Sequence, residues 1–77
     1  ETVLCEELNW LGDTPLDDPR PVSVRLRHSR TAQEALLVPL EGGQAEVRMA
    51  QPARAPTPGQ LAVFYQDDMV LGSGWIT

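Results

Sequence analysis

The sequence has no lysine, and it has only one cysteine, one histidine, one phenylalanine and one tyrosine among its 77 residues. A single cysteine excludes an internal disulfide framework, so packing alone must hold the fold, as is typical of proteins in a reducing cytoplasm. No apolar run approaches the ~20 residues that span a membrane, and no signal peptide is expected. A chain of this length is predicted to form one small domain over residues 1–77.

The sequence also lacks a recognisable catalytic or metal-binding set. No phosphate-cradling glycine loop is predicted, because the Gly72-Ser73-Gly74 cluster lies inside a predicted strand and is followed by neither a lysine nor a helix. Cys5 has only His28, far along the chain, as a second candidate ligand or base, so neither a metal site nor an activated nucleophile is predicted. The adjacent carboxylates of Asp67 and Asp68 are more typical of a solvated turn. We therefore predict a non-catalytic chain without metal or cofactor.

Charge is distributed unevenly around a net value of −5. Residues 1–19 contain six acids and no base, whereas residues 20–54 contain all six arginines and only three glutamates. The net negative charge argues against a nucleic-acid-binding module, because such modules are usually basic. The clustering of the arginines is nevertheless compatible with one arginine-bearing face on an otherwise acidic domain.

Signals for strands and turns fill most of the chain. The clearest is the alternation over residues 22–28, where Val22, Val24 and Leu26 face one way and the residues between them face the other. The predicted strands are residues 9–11, 22–28, 35–40, 44–49, 61–65 and 70–76. Residues 1–21 are predicted to hold a leader strand and a connection rich in proline and aspartate, and residues 22–77 the barrel strands. The spacing favours an all-β fold, a small antiparallel β-barrel of five or six strands.

Glycine and proline mark the turns. Gly42-Gly43 predicts a two-residue hairpin loop. Pro58 followed by Gly59 predicts a tight turn in which Gly59 has a positive φ. Gly72 and Gly74 interrupt the last strand. Their presence there indicates a β-bulge or barrel corner, the interpretation we favour, or a close approach to a partner backbone.

The end of the chain carries the most specific pattern. Residues 53–76, ARAPTPGQLAVFYQDDMVLGSGWI, combine a TPGQ turn, a VFY strand, an acidic turn and a strand broken by glycines. This segment resembles the C-terminal β-barrel domain of the tRNA-specific 2-thiouridylases, which are also described as tRNA methyltransferases. Weaker similarity extends upstream through Asn9-Trp10-Leu11 and Val47-Arg48-Met49. The family usually has three successive glycines where this chain has Gly72-Ser73-Gly74, a mild departure unless Ser73 needs a positive φ.

The resemblance implies a fold similar to the β-barrels of translation elongation factors and a role in a larger cytoplasmic enzyme. In that parent enzyme, ATP would activate the wobble uridine of tRNA and a persulfide donor would supply the sulfur. The nucleotide-binding and central domains would hold this chemistry, and neither is in the present sequence. The barrel itself would help to position the tRNA.

Arginine gives the only direct signal for binding. Arg25 and Arg27 project the same way from one strand, with about 6.6 Å between their Cα atoms. This spacing roughly matches that of phosphates along a nucleic-acid strand. Arg48 lies on the outward face of another strand and would extend the patch if the two strands were neighbours. The candidate tRNA-binding residues are therefore Arg25, Arg27 and Arg48, although outward arginines are also ordinary solvated residues.

Alternatives to tRNA binding remain open. Trp10, Phe64, Tyr65 and Trp75 could stack on bases, but a domain this small needs most of its aromatic side chains in the core. The main alternative is a protein- or domain-interaction module that docks through an exposed edge or the last strand and makes no nucleic-acid contact. A secreted β-domain is a third possibility, weakened by the absence of cystines.

Overall fold

Six antiparallel strands form a closed barrel in the computed structural model, which describes residues 2–12, 15–26, 32–50 and 58–77. The strands are β1 (Thr2–Trp10), β2 (Arg20–Leu26), β3 (Gln33–Pro39), β4 (Ala45–Met49), β5 (Leu61–Gln66) and β6 (Met69–Ile76). Their order around the barrel is β1-β4-β3-β2-β5-β6. Within the described ranges, the one helical element is a 3₁₀ turn at Glu41–Gly43, and no helix could cross a membrane. The predicted small antiparallel β-barrel is confirmed.

Alternation along each strand builds the core. Val22 and Val24 of β2 and Ala45 and Val47 of β4 point inward, and Phe64 of β5 is completely buried. The other buried apolar residues are Cys5, Ala35, Leu37, Ala62, Leu71 and Ile76. A six-stranded barrel has a narrow interior, so small side chains must alternate with large ones. No polar side chain is buried in the part of the chain that the structure describes, so apolar packing holds the fold.

Strand β1 is longer than the predicted Asn9–Leu11 segment, and it closes the barrel between β4 and β6. Its register against β6 shifts between Glu6 and Asn9, and Glu7 has a φ of 53° at this point. Such an irregularity resets which residues face inward. The bulge and the acidic residues together hide the period-two pattern that would have revealed the strand.

The hairpin between β3 and β4 is confirmed, but its loop is longer than the two residues predicted. Pro39 pairs with Ala45, and the Leu40 N–H donates a hydrogen bond of 2.9 Å to the carbonyl oxygen of Gln44. Gly42 and Gly43 have φ values of 72° and 76°, so both glycines provide the positive φ that the loop requires. The two-residue loop occurs instead at Asp67-Asp68, between the paired ends of β5 and β6.

The other predicted glycine positions agree with the structure. Gly59 has a φ of 92°, and its N–H donates a 2.7 Å hydrogen bond to the carbonyl oxygen of Ile76. Gly72 lies next to a register shift in the β5–β6 pairing, as expected for a bulge. A Cβ at Gly72 would also overlap the backbone oxygen of Asn9, so the bulge and the close backbone approach occur together. Ser73 has no positive φ, so the departure from three glycines is compatible with the fold.

Candidate nucleic-acid interface

Three neighbouring strands, β2, β5 and β6, share an outer face that has no carboxylate. Its members are the outward residues Ser23, Arg25, Leu61, Val63, Tyr65, Ser73 and Trp75, which we call the β2–β5–β6 face. The nearest acids lie at its borders: Glu34 on β3, Glu6 on β1 and the aspartates of the hairpin tip. Although the protein has a net charge of −5, the residues of this face carry no negative charge that would repel a polyanion.

Arg25 is the cation of this face. It is exposed and pairs across the sheet with Val63, while Ser23 pairs with Tyr65. The Arg25 guanidinium carbon lies 5.7 Å from the centre of the Tyr65 ring, which is within the range of a cation–π contact. Among the described residues no acid pairs with Arg25, so its N–H groups are available to an external acceptor such as a phosphate.

The other two arginine candidates are not joined to Arg25. Arg27 lies outside the described residues. Arg48 is on β4, and β3 separates β4 from β2, so the condition that the two strands be neighbours is not met. Arg48 Nη2 instead contacts Glu46 Oε1 at 3.1 Å, an ion pair within its own strand. In the closed barrel β4 is three strands from β5 in either direction, although Arg48 and Tyr65 both line one open cleft that runs across β2 and β3.

Arg20 is a further arginine of the described residues, and it is not among the three predicted tRNA-binding arginines. Its Nη2 donates a 2.6 Å hydrogen bond to Gln66 Oε1, and its guanidinium carbon lies 5.4 Å from the centre of a Trp10 ring. It lines an open cleft at one end of the barrel together with Asp67 and Asp68. Alternation could have indicated this position, because Arg20 lies two residues before Val22 and therefore on the inward side of β2. These contacts give Arg20 a structural role at the barrel end.

The four aromatic candidates divide between the interior and the surface. Phe64 is fully buried, and Trp10 is partly buried against the core. Tyr65 is half-buried on the outer face, and 43% of Trp75 is exposed. Two aromatic side chains therefore remain on the β2–β5–β6 face, where their ring surfaces can meet a ligand.

Cys5 is not suited to sulfur chemistry in this fold. Its side chain is completely buried, and burial raises the pKa of the Cys5 thiol, an effect only partly offset by a hydrogen bond with the backbone of Ala45. The thiolate is the reactive form, so a buried thiol with a raised pKa is a poor nucleophile. His28 lies outside the described residues. Within the described ranges, no three side chains are grouped to hold a metal ion.

Comparison with known proteins matches the chain to one domain family. The family model described as the aminomethyltransferase beta-barrel domain covers residues 1–76. The chain is 46% identical to tRNA-specific 2-thiouridylase MnmA of Acidithiobacillus ferrooxidans, over 96% of the chain and 21% of that protein. It is 47% identical to the protein of the same name from Rhodospirillum centenum, over 99% of the chain and 19% of that protein. The chain thus spans about a fifth of the length of these relatives.

Proposed function

The chain belongs to the aminomethyltransferase β-barrel domain family, and we propose that it is the non-catalytic C-terminal domain of a tRNA 2-thiouridylase. The observation that carries this proposal is the similarity of nearly the whole chain to proteins named tRNA-specific 2-thiouridylase. The resemblance of residues 53–76 to the end of that family supports it. The domain would then be the part that helps to hold tRNA for the catalytic parts of the same polypeptide.

The proposed parent reaction needs groups that this chain does not supply. In it, ATP adenylates the wobble uridine at its carbonyl oxygen, and a cysteine persulfide then attacks the activated carbon. The sequence has no phosphate loop, and the buried Cys5 thiol does not fit a persulfide carrier. Both ATP and the sulfur donor therefore belong to the nucleotide-binding and central domains of the parent enzyme, which would be the domain's covalent partners in the cytoplasm.

Within this role, the β2–β5–β6 face would be the side of the barrel that approaches tRNA. It offers Arg25, which has no acidic partner among the described residues, and no carboxylate of its own, whereas Arg48 on β4 is already paired with Glu46. The predicted contact between Arg48 and tRNA stays a prediction, but Arg48 would have to leave Glu46 before it could bind a phosphate. Arg25 is the stronger candidate for the same reason.

These two arginines provide a matched test in the parent enzyme. Arg25→Ala is expected to weaken tRNA binding and to reduce the slope of log affinity against log salt by about one, since one phosphate contact is lost. Arg48→Ala removes the same charge from a guanidinium that is already paired with Glu46 and should leave the slope nearly unchanged. Both side chains are exposed, so stability should change by less than ~0.5 kcal/mol in either variant. An unchanged slope in Arg25→Ala would contradict the proposed tRNA contact.

The interaction-module alternative has its own support in the exposed apolar side chains of β6. Met69, Val70 and Trp75 are all exposed, and they could pack against another domain. Such an apolar contact depends little on salt, whereas phosphate contacts weaken steeply as salt rises. If replacing these apolar side chains weakens tRNA binding by the parent enzyme without changing the salt slope, domain docking through β6 is favoured.

A further inference from the structure

We propose that the β2–β5–β6 face binds single-stranded RNA by stacking unpaired bases on two aromatic platforms, Tyr65 and Trp75. This inference rests on the proposed tRNA-binding function and specifies the kind of RNA that the face accepts. It goes beyond a general attraction for phosphate, because aromatic rings on a protein surface recognise bases that have left the helical stack.

The first platform combines Tyr65 with Arg25. The guanidinium carbon lies 5.7 Å from the ring centre, so the cation and the ring hold each other in place before any ligand arrives. Bases stack on guanidinium planes as well as on aromatic rings. The same arginine can also donate to a neighbouring phosphate, and the Ser23 hydroxyl lies directly across the strand pair from Tyr65.

The second platform is Trp75, a residue that is 43% exposed. Trp75 pairs with Leu61, four residues before Tyr65 on β5, which places the two platforms about 13 Å apart along the strand. Stacked rings have centres at most ~7 Å apart, so one base cannot stack on both platforms. Each ring must take its own base, with Val63 and Ser73 forming the floor between them.

Charge favours RNA over a protein partner on this face. All seven residues of the face lack a negative charge, and its one cation has no acidic partner among the described residues. Aromatic rings on which bases stack, with an arginine that contributes cation–π contacts, are groups that sequence-tolerant binders of single strands use.

The test is a titration of the chain with a single-stranded hexauridylate, followed by tryptophan fluorescence and by amide and indole NMR shifts at millimolar protein concentration. Stacking should quench Trp75 and shift the signals of Tyr65, Arg25 and the Trp75 indole. Trp75→Phe should abolish the quenching, whereas Trp10→Phe, which alters the partly buried indole, should retain it. A duplex of the same length and inorganic phosphate should each give smaller shifts at these positions.

Tyr65 provides the matched variants. Tyr65→Leu keeps apolar bulk but removes the ring and should weaken hexauridylate binding roughly 5- to 150-fold, the effect of one lost base stack. Tyr65→Phe keeps the ring and should bind nearly as well as the unaltered chain. Absence of shifts at millimolar concentration, shifts confined to β3 and β4, or equal affinity of Tyr65→Leu would each overturn the stacking proposal.

Failure of this inference can be told apart from failure of the proposed function in the parent enzyme. If Arg25→Ala weakens tRNA binding while Tyr65→Leu and Trp75→Leu, which remove the rings, do not, the face binds phosphates without stacking, and only the stacking inference falls. If none of the three variants changes tRNA binding, both proposals fail, and the face becomes a docking surface for another domain of the polypeptide.

Discussion

Cys5 shows how a residue with reactive chemistry becomes part of the core. Its sulfur lies inside the barrel, where a Cβ added at Gly74 would approach it to 3.1 Å. The glycine therefore makes room for the thiol, and the thiol fills space as a small apolar side chain. Burial raises the pKa of the thiol because the thiolate would lose its hydration inside the barrel.

This environment predicts slow labelling of Cys5 and a pH-dependent stability. A thiol reagent should modify the folded chain far more slowly than the chain unfolded in guanidinium chloride. Because the folded pKa is raised, the folded state retains a proton that the unfolded state releases at alkaline pH. The free energy of unfolding should thus be constant below the ordinary thiol pKa and fall as pH rises above it. Cys5→Ala should lose this alkaline decline, and equal labelling rates in both states would contradict the burial.

At the scale of the element, the last strand is shaped by its contact with β1. Gly72 pairs with Trp10 across the sheet, and a Cβ at Gly72 would overlap the backbone oxygen of Asn9. Backbone atoms cannot move aside as cheaply as the end of a flexible side chain can. The strand therefore needs glycine at this position for space, since Gly72 has no positive φ.

A pair of substitutions on β6 tests this requirement. Gly72→Ala should destabilise the fold by about 1–3 kcal/mol, because the added methyl group forces β1 away from β6. Ser73→Ala, one residue along on the outer face, should change stability by less than ~0.5 kcal/mol. Urea unfolding of both variants measures the difference. Equal midpoints would show that β1 and β6 can separate without cost and that the close approach does not require glycine.

The elements also show what the sequence could predict. Alternation over Val22, Val24 and Leu26 was sufficient to place Arg25 outside the barrel, and Pro58-Gly59 was sufficient to predict the positive φ. Strand order was not accessible, because local patterns say nothing about which strands become neighbours. The grouping of Arg25 with Arg48 depended on that order, and the barrel places β3 between their strands. The Tyr65–Arg25 pair likewise arises from the β2–β5 pairing, which joins segments about forty residues apart.

For the whole molecule, the distribution of charge matters more than its sum. The net charge of −5 argues against a polyanionic ligand, yet the carboxylates of the described residues lie off the face formed by β2, β5 and β6. Glu46 on β4 lies far from β5 in the strand order, whereas Glu6 pairs with Trp75 and Glu34 with Ser23, so these two carboxylates border the face directly. The face itself carries one cation, two serine hydroxyls and two aromatic rings.

At the scale of the whole molecule, the isolated chain is expected to have no catalytic activity. Thiolation of a uridine requires a group that binds ATP and a thiolate that carries sulfur. The sequence offers no phosphate loop, and its one thiol is completely buried with a raised pKa. The purified 77-residue chain, mixed with tRNA and ATP, should release neither pyrophosphate nor AMP above the rate of a control without protein.

The parent enzyme lacking this domain supplies the complementary measurement. If the barrel only holds tRNA, its removal should raise the tRNA concentration needed for half-maximal thiolation, and saturating tRNA should recover much of the rate, because the lost interaction is binding. A variant in which the barrel is retained but Arg25 is replaced by alanine should show a smaller change in the same direction. Release of pyrophosphate by the isolated chain would instead place part of the chemistry in the barrel and contradict its assignment as a binding domain.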